Sequence, residues 1–347
     1  RFEDRTRAET VLKFMTDGIL LAELRSDPEL RKYDCLIIDE VHERTMVLDL
    51  ILFFIKYFTL QRNDFKLVIM SATIDTDNIR SYFADFVNND NMGEIYQNFS
   101  LNYDIVYRPL RNDEYIDDTR FNTTDIKFLI QSITNIIRDI IYNDSSTELK
   151  TILVFLPDFK SIYFTDRALS REFGLHVTIV QFFGSLNYDE QLERISDSGQ
   201  SRYKIVLSTT LAETCLTISN CCVVIDTGLR KYNKYNYNTN LYEEYIDYIS
   251  QDSATQRAGR CGREKKRGVC YRLYSYRTFT AMKKHRVAEV EMMNIDNIIL
   301  RMFGAKVNSR EVIESVAQRG FLDFVSKVDG GIFDIVMNKL CLYGCLR

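Results

Sequence analysis

The sequence predicts an α/β protein with parallel sheets, because short apolar runs alternate along the chain with helical patterns. Seven runs read as strands: Cys35–Asp39, Lys66–Ala72, Lys150–Pro157, His176–Gly184, Tyr203–Thr210, Cys221–Gly228 and Gly268–Tyr274. Nearly continuous apolar strands separated by helices are typical of sheets that are buried on both faces. The predicted fold is therefore the doubly wound parallel class.

A cluster of Asn, Asp and Gly within 88–100 interrupts this alternation and indicates a linker. A strand over Asp104–Leu110 and a long helix over Thr124–Tyr142 then begin a second α/β unit. Helical patterns without strands close the chain, at Asp296–Gly304, Ser309–Gly320 and Gly331–Tyr343. Since 347 residues exceed the usual size of one domain, we expect domains at 1–100, 101–282 and 283–347.

Composition indicates an ordinary globular protein, with 46% hydrophobic and 27% charged residues. A net charge of -4 gives no general attraction to nucleic acid, so any such site must be a local patch. The longest apolar stretch, Met46–Leu60, is too short to span a bilayer and predicts a core helix. The eight cysteines lack C-x-x-C pairs, which favours reduced, buried thiols in an intracellular protein.

Two adjacent carboxylates, Asp39 and Glu40, follow the first predicted strand. Ligands in open α/β sheets bind at the carboxyl ends of the strands. An acidic pair there suits nucleotide hydrolysis, with both carboxylates near Mg²⁺, largely through water. We assign Asp39 to the metal and Glu40 to the attacking water. The alternative is a solvated strand end.

Small hydroxyl residues and arginines follow other predicted strands. Ser71 and Thr73 come after the second strand, where a plain helix N-cap is the alternative. Gln256, Arg260 and Arg263 are spaced as neighbours on one helical face. Cations on a buried face need an anion, and a triphosphate suits the planar fork of arginine. The alternative is a solvated basic face.

Five motifs occur in order: DEVH at 39–42, SAT at 71–73, VFLPD at 154–158, STTLAETCLTI at 208–218 and QRAGRCGR at 256–263. Each string alone is weak, whereas the five together resemble the DEAH-box RNA helicases. The strings MTDG at 15–18 and FGSL at 183–186 extend the resemblance to nearly the whole chain.

This resemblance implies two RecA-like doubly wound domains, followed by a small, mostly helical winged-helix module and the start of a helical bundle. ATP, with loose choice of base, and Mg²⁺ would bind in the cleft between the two RecA-like domains. His42 would link the ATP site to the domain interface, and Ser71 and Thr73 would couple hydrolysis to strand separation. Gln256 would position water, and Arg260 and Arg263 would act as arginine fingers.

The resemblance also implies RNA bound mainly through its sugar-phosphate backbone. The expected RNA contacts are Thr16, Asp17, Gly18, Gly184, Ser185 and Thr209. Between Leu229 and Ile249, alternating aromatic and polar residues predict a hairpin, which either covers the sheet edge or touches RNA. The basic excess over Thr255–Arg286, eleven Lys or Arg against one Glu, is likewise either RNA-facing or solvated.

The chain also departs from the family pattern. Asp158 stands where Gly is usual, Thr210 where Asn is usual, and Cys215 where Ser is usual. No Gly-rich loop ending in Gly-Lys-Thr is present, and we expect that phosphate-binding loop upstream of Arg1. These 347 residues alone should therefore hydrolyse ATP negligibly.

The leading functional hypothesis is an ATP-dependent RNA helicase that unwinds RNA or remodels ribonucleoprotein, in pre-mRNA splicing or ribosome biogenesis. Two alternatives are a non-hydrolysing scaffold that binds RNA or protein, and a related enzyme acting on DNA. We expect a monomer with a possible protein adaptor, no membrane association, and a nuclear or else cytoplasmic location.

Overall fold

The computed structural model describes residues 6–7, 9–72, 76–85, 92–96, 102–110, 123–146, 148–184, 190, 201–213, 218–262, 267–304, 324–326 and 330–345. The chain divides into two compact units. The first comprises Arg1–Ile95, Tyr235–Leu241 and Val287–Arg347, and the second comprises Tyr96–Lys234 and Tyr242–Arg286.

The first unit is built around a pair of parallel strands, β1 (Cys35–Ile38) and β2 (Lys66–Ile69), in which Cys35 lies opposite Lys66. Its helices are α1 (Asp17–Ser26), α2 (Met46–Tyr57), α3 (Thr76–Phe83), α8 (Asp296–Gly304) and α9 (Gly330–Leu342). The core helix predicted over Met46–Leu60 is confirmed as α2. Its N-cap is Thr45, whose hydroxyl accepts the Leu48 N–H at 3.2 Å.

The sheet of the first unit differs from the prediction that both faces are buried. Leu36 and Ile38 point into the core, whereas the alternate residues Ile37, Val68 and Met70 are 54%, 42% and 42% exposed. Successive side chains of a strand point to opposite faces. In the described part of this unit, therefore, only one face of the strand pair is covered.

The second unit confirms the predicted parallel sheet. It has six parallel strands: β3 (Tyr103–Tyr107), β4 (Lys150–Phe155), β5 (Val177–Phe182), β6 (Tyr203–Ser208), β7 (Cys221–Asp226) and β10 (Gly268–Arg272). Their spatial order is β3-β10-β7-β4-β6-β5. The helices of this unit are α4 (Thr123–Asn143), α5 (Phe159–Phe173), α6 (Gln251–Ala258) and α7 (Tyr276–Ala281). Strand β6 is buried along its whole length, including the polar residues Lys204 and Ser208 beside the apolar Ile205–Leu207.

The predicted hairpin is confirmed as β8 (Leu229–Asn236) and β9 (Leu241–Tyr248). The N–H of Tyr235 donates to the Met292 carbonyl at 2.7 Å, and the hydroxyl of Tyr237 donates to the Met293 carbonyl at 3.2 Å. The hairpin tip therefore packs on the backbone just before α8, within the first unit.

The helices α4, α8 and α9 match their predicted ranges, whereas the helix predicted at Ser309–Gly320 and most of the predicted linker lie outside the described residues. The described cysteines form no disulfide, but Cys35, Cys341 and Cys345 are exposed, so the prediction that the thiols are buried is wrong for these three. No helix in the described ranges has the length and apolarity needed to cross a bilayer.

A polar cluster ties the end of α4 to the sheet. Asp144 accepts from Lys150 Nζ at 2.8 Å, Arg202 Nη2 at 2.7 Å and Tyr203 Oη at 2.7 Å. Burial raises the pKa of Asp144, but these hydrogen bonds outweigh it, so the pKa lies well below its ordinary value. For Tyr203, burial and the Asp144 carboxylate raise the pKa to about 12.

We expect Asp144→Asn to lower the urea midpoint of unfolding at pH 7. A carboxylate whose pKa is depressed by folding adds stability above its unfolded pKa, near 3.8, and this stability is lost as the pH falls. The difference in urea midpoint between the variant and the wild-type protein should therefore shrink below about pH 4. The surface variant Asp139→Asn is the control, and a difference for Asp144→Asn that stays constant with pH would contradict this account.

Candidate active site

The acidic pair lies in the loop that follows β1. Two backbone hydrogen bonds to Met70, the first residue after β2, fix this loop. Met70 N–H donates to the Ile38 carbonyl at 2.8 Å, and Val41 N–H donates to the Met70 carbonyl at 3.2 Å. Glu40 adopts a left-handed conformation with φ of 56°, and its N–H donates to Asp39 Oδ1 at 2.8 Å. Both carboxylates are exposed at the carboxyl end of the strand.

The imidazole of His42 lies between two other predicted site residues. Its Nδ1 is 3.3 Å from Glu40 Oε2 and 3.3 Å from Ser71 Oγ. The His42 side chain is only 7% exposed, whereas the Glu40 side chain is 51% exposed. The structure thus brings together Glu40, His42 and Ser71, while Thr73 lies outside the described residues.

Thr16, Asp17 and Gly18 form the exposed start of α1, as predicted. The Thr16 carbonyl accepts the N–H groups of Ile19 and Leu20, but its side chain makes no capping hydrogen bond. The first amides of a helix, together with the helix dipole, favour an anion. This geometry is compatible with a phosphate contact.

In the second unit, Gly184 and Thr209 lie at the same edge of the sheet. Gly184 is two residues beyond β5 and Thr209 is the first residue beyond β6, and these strands pair with Phe182 opposite Ser208. Gly184 is exposed and Thr209 is half-buried. Ser185 lies outside the described residues.

The arginine motif does not form one continuous helical face, so that part of the sequence prediction is wrong. Helix α6 contains Gln256 but ends at Ala258, and Arg260 lies in the turn that follows. At Gly262, φ is 73° and an added Cβ would overlap the Asn102 carbonyl, so the chain must turn there. Gln256 and Arg260 are half-buried, and Arg263 lies outside the described residues.

Of the two described arginines of the motif, Arg257 is fully buried, and the sequence analysis assigned it no role. Its Nε donates to Glu213 Oε1 at 2.7 Å, its Nη1 donates to Asp226 Oδ1 at 2.8 Å, and its Nη2 donates to the Leu229 carbonyl at 3.2 Å. Asp226 also accepts the Tyr274 hydroxyl at 2.7 Å. The anions that satisfy this cation are therefore carboxylates of the protein itself.

The charges of this buried network stabilise each other. Burial lowers the pKa of Arg257, but Glu213 and Asp226 outweigh it and leave the pKa raised. Burial and the Asp226 carboxylate both raise the pKa of Tyr274 well above its ordinary value, so its hydroxyl stays a donor. The carboxylates were recognisable in the sequence, because each follows or ends an apolar strand and needs a cation if buried.

Asp158, a departure from the family pattern, has a local structural role. Its Oδ1 accepts the Ser161 N–H at 2.8 Å and the Ser161 hydroxyl at 2.6 Å. Asp is a favoured N-cap residue. Asp158 therefore fixes the start of α5, at the same edge of the sheet as Gly184 and Thr209.

The fold has counterparts among solved structures. The chain is similar to the crystal structure of the Escherichia coli DEAH/RHA helicase HrpB, with a TM-score of 0.73 and 24% identity over 95% of this chain and 38% of that one. Residues 121–265 match the family described as "Helicase conserved C-terminal domain". The fold is thus the parallel α/β class found in RecA-like helicase domains, in which ligands bind at the carboxyl ends of the strands.

Proteins of similar sequence give a more specific comparison than the fold does. The ATP-dependent RNA helicase HrpA homolog of Haemophilus influenzae is 33% identical over 98% of this chain and 25% of the relative. The ATP-dependent RNA helicase DHX33 of Mus musculus is 30% identical over the whole chain and 47% of the relative. The chain is therefore similar in sequence to ATP-dependent RNA helicases, and it spans less than half the length of these relatives.

Proposed function

We propose that the protein containing this chain is an ATP-driven RNA helicase that unwinds RNA or remodels ribonucleoprotein. The observation that carries the proposal is the loop after β1, where Asp39 and Glu40 are exposed beside a buried His42 that contacts Ser71. The names of the relatives, which describe ATP-dependent RNA helicases, support the same activity.

In this proposal Glu40 orients the attacking water and accepts its proton. Its carboxylate is half-exposed and so can reach a bound water, while the His42 contact and the strained backbone limit its position. Asp39 and Glu40 offer the hard oxygen donors that Mg²⁺ prefers. Mg²⁺, when bound, would supply neutralisation of the charge that develops on the phosphates.

Three residues of the second unit have proposed roles of their own towards a nucleotide. Gln256 would position the water, and Arg260 and Arg263 would stabilise negative charge on the transferring phosphoryl group. The half-buried setting of Gln256 and Arg260, on either side of the buried Arg257, supports this assignment, because the planar fork of arginine suits a phosphate.

The sugar-phosphate backbone of RNA would contact residues at the start of α1 and at the sheet edge of the second unit. These are Thr16, Asp17, Gly18, Gly184, Ser185 and Thr209. Ser71 and Thr73 would couple hydrolysis to strand separation through the Ser71–His42 contact. The domain boundaries, the monomeric state, the adaptor, the nuclear location and the role in splicing or ribosome biogenesis have only the family resemblance as support, and they stay predictions.

The test is to purify the full-length protein and measure ATP hydrolysis and strand displacement together. We expect hydrolysis that is stimulated by single-stranded RNA, and displacement of RNA from a duplex with a 3′ tail. A matched DNA substrate tests whether the 2′-hydroxyl matters. RNA binding without hydrolysis would instead indicate a scaffold and overturn the proposal.

A further inference from the structure

The loop that carries Asp39 and Glu40 ends in a tight turn. Glu43 N–H donates to the Glu40 carbonyl at 2.9 Å, and Arg44 N–H donates to the Val41 carbonyl at 3.3 Å. Left-handed residues stand on both sides of this turn, because Arg44 has φ of 50° as Glu40 has φ of 56°. Side chains disfavour that conformation, so contacts from elsewhere must hold it.

Glu289 supplies two of those contacts from a distant part of the chain. Its N–H donates to the Arg44 carbonyl at 3.0 Å, and its Oε2 accepts the Met46 N–H at 2.9 Å. The flanking residues Ala288 and Val290 are 1% and 3% exposed and belong to the core of the first unit. Glu289 is therefore itself held in place by packing.

The side chain of Arg44 adds a second link. Its Nε and Nη2 donate to the two carboxylate oxygens of Asp49 at 3.0 and 3.3 Å, and its Nη2 also donates to Ser326 Oγ at 3.0 Å. Asp49 is fully buried, and burial raises its pKa even though Arg44 acts in the opposite direction. Arg44, at the end of the loop, is thus held in place through both its backbone carbonyl and its guanidinium group.

We infer that Glu289 is a positioning residue for hydrolysis, which holds the turn after His42 and so fixes where Glu40 points. Glu289 does not touch the reacting atoms; it acts through Arg44 and Met46. This inference rests on the proposed function of Glu40 as the residue that activates water. Small displacements of a catalytic group have large effects on rate, while substrate binding need not change.

The decisive comparison uses Glu289→Met and Glu289→Gln in the full-length protein. Methionine removes the acceptor for the Met46 N–H at similar volume, whereas glutamine keeps an acceptor oxygen. We expect Glu289→Met to lower kcat for ATP hydrolysis by about tenfold to a hundredfold with KM for ATP little changed. Glu289→Gln should restore most of the rate. Glu291→Met, an exposed change in the same turn, is the matched control.

Hydrogen exchange gives a readout that does not depend on activity. In Glu289→Met, peptides covering 39–46 should exchange faster, and peptides from β4 and β6 should be unchanged. Unaltered exchange at 39–46, or a loss of kcat shared equally by Glu289→Gln and Glu291→Met, would overturn the inference. If the wild-type protein hydrolyses no ATP, the proposed function fails, and hydrogen exchange still tests whether Glu289 holds the loop.

Discussion

Replacing Glu40 with Gln in the full-length protein should lower ATP turnover by about 10²–10⁴-fold, the usual contribution of a general base. The amide has nearly the same shape but cannot accept the proton of the attacking water. Because the Glu40 side chain is half-exposed, the change should not affect folding. Single-turnover hydrolysis measures the chemical step, and titration with a fluorescent ATP analogue measures nucleotide binding, which should be retained.

Asp34→Asn is the matched control for this variant. Asp34 is an exposed carboxylate at the other end of β1, so the same acid-to-amide change is made on the same strand, away from the site. It should leave turnover unchanged. If Glu40→Gln hydrolyses ATP at the wild-type rate, Glu40 is not the general base. Equal losses of turnover in the two variants would indicate a general effect of charge.

Replacing Arg257 with Met should destabilise the second unit by about 3–5 kcal/mol, because two buried carboxylates lose their cation. Arg257, Glu213 and Asp226 have side chains that are 0–2% exposed, so water cannot replace the lost hydrogen bonds. Urea unfolding followed by circular dichroism should show an earlier transition. Hydrogen exchange should assign that transition to the six-stranded sheet.

Arg138→Met tests whether burial is the cause. Arg138 pairs with Glu172 on the surface, with side chains 38% and 41% exposed, so its loss should change the free energy of unfolding by only about 0–1 kcal/mol. Adding Glu213→Gln and Asp226→Asn to Arg257→Met should recover part of the lost stability, since the uncompensated charges are removed. Similar effects of Arg257→Met and Arg138→Met would contradict the buried network.

Some structural features were predictable because their cause is local in the chain. An apolar run such as Ile205–Leu207 favours burial on both faces, and that requirement identifies a central strand. The position of Asp39 and Glu40 follows in the same way, because polar residues after such a run must lie at the strand end. The roles of these carboxylates remain predictions.

The burial of the arginines in the motif at 256–263 could not be predicted from their spacing. Spacing placed Gln256 and Arg260 on one face only if the helix continued, but Gly259 and Gly262 end it. The two described arginines of the motif differ in burial. Arg257 is buried and faces the internal carboxylates Glu213 and Asp226, whereas Arg260 is half-buried. No periodicity distinguishes these two arginines, because the difference depends on which carboxylates the sheet brings near them.

The sequence by itself determined the order of strands and helices, the acidic pair at a strand end and the motifs of the family, since each depends on residues close together in the chain. The tertiary structure alone decided that Ile37 is exposed, that Arg257 is neutralised internally and that Glu289 holds the loop at Met46. Glu289 and Met46 are 243 residues apart. Contacts over such separations follow from packing and hydrogen-bond geometry in three dimensions, and the local sequence pattern does not predict them.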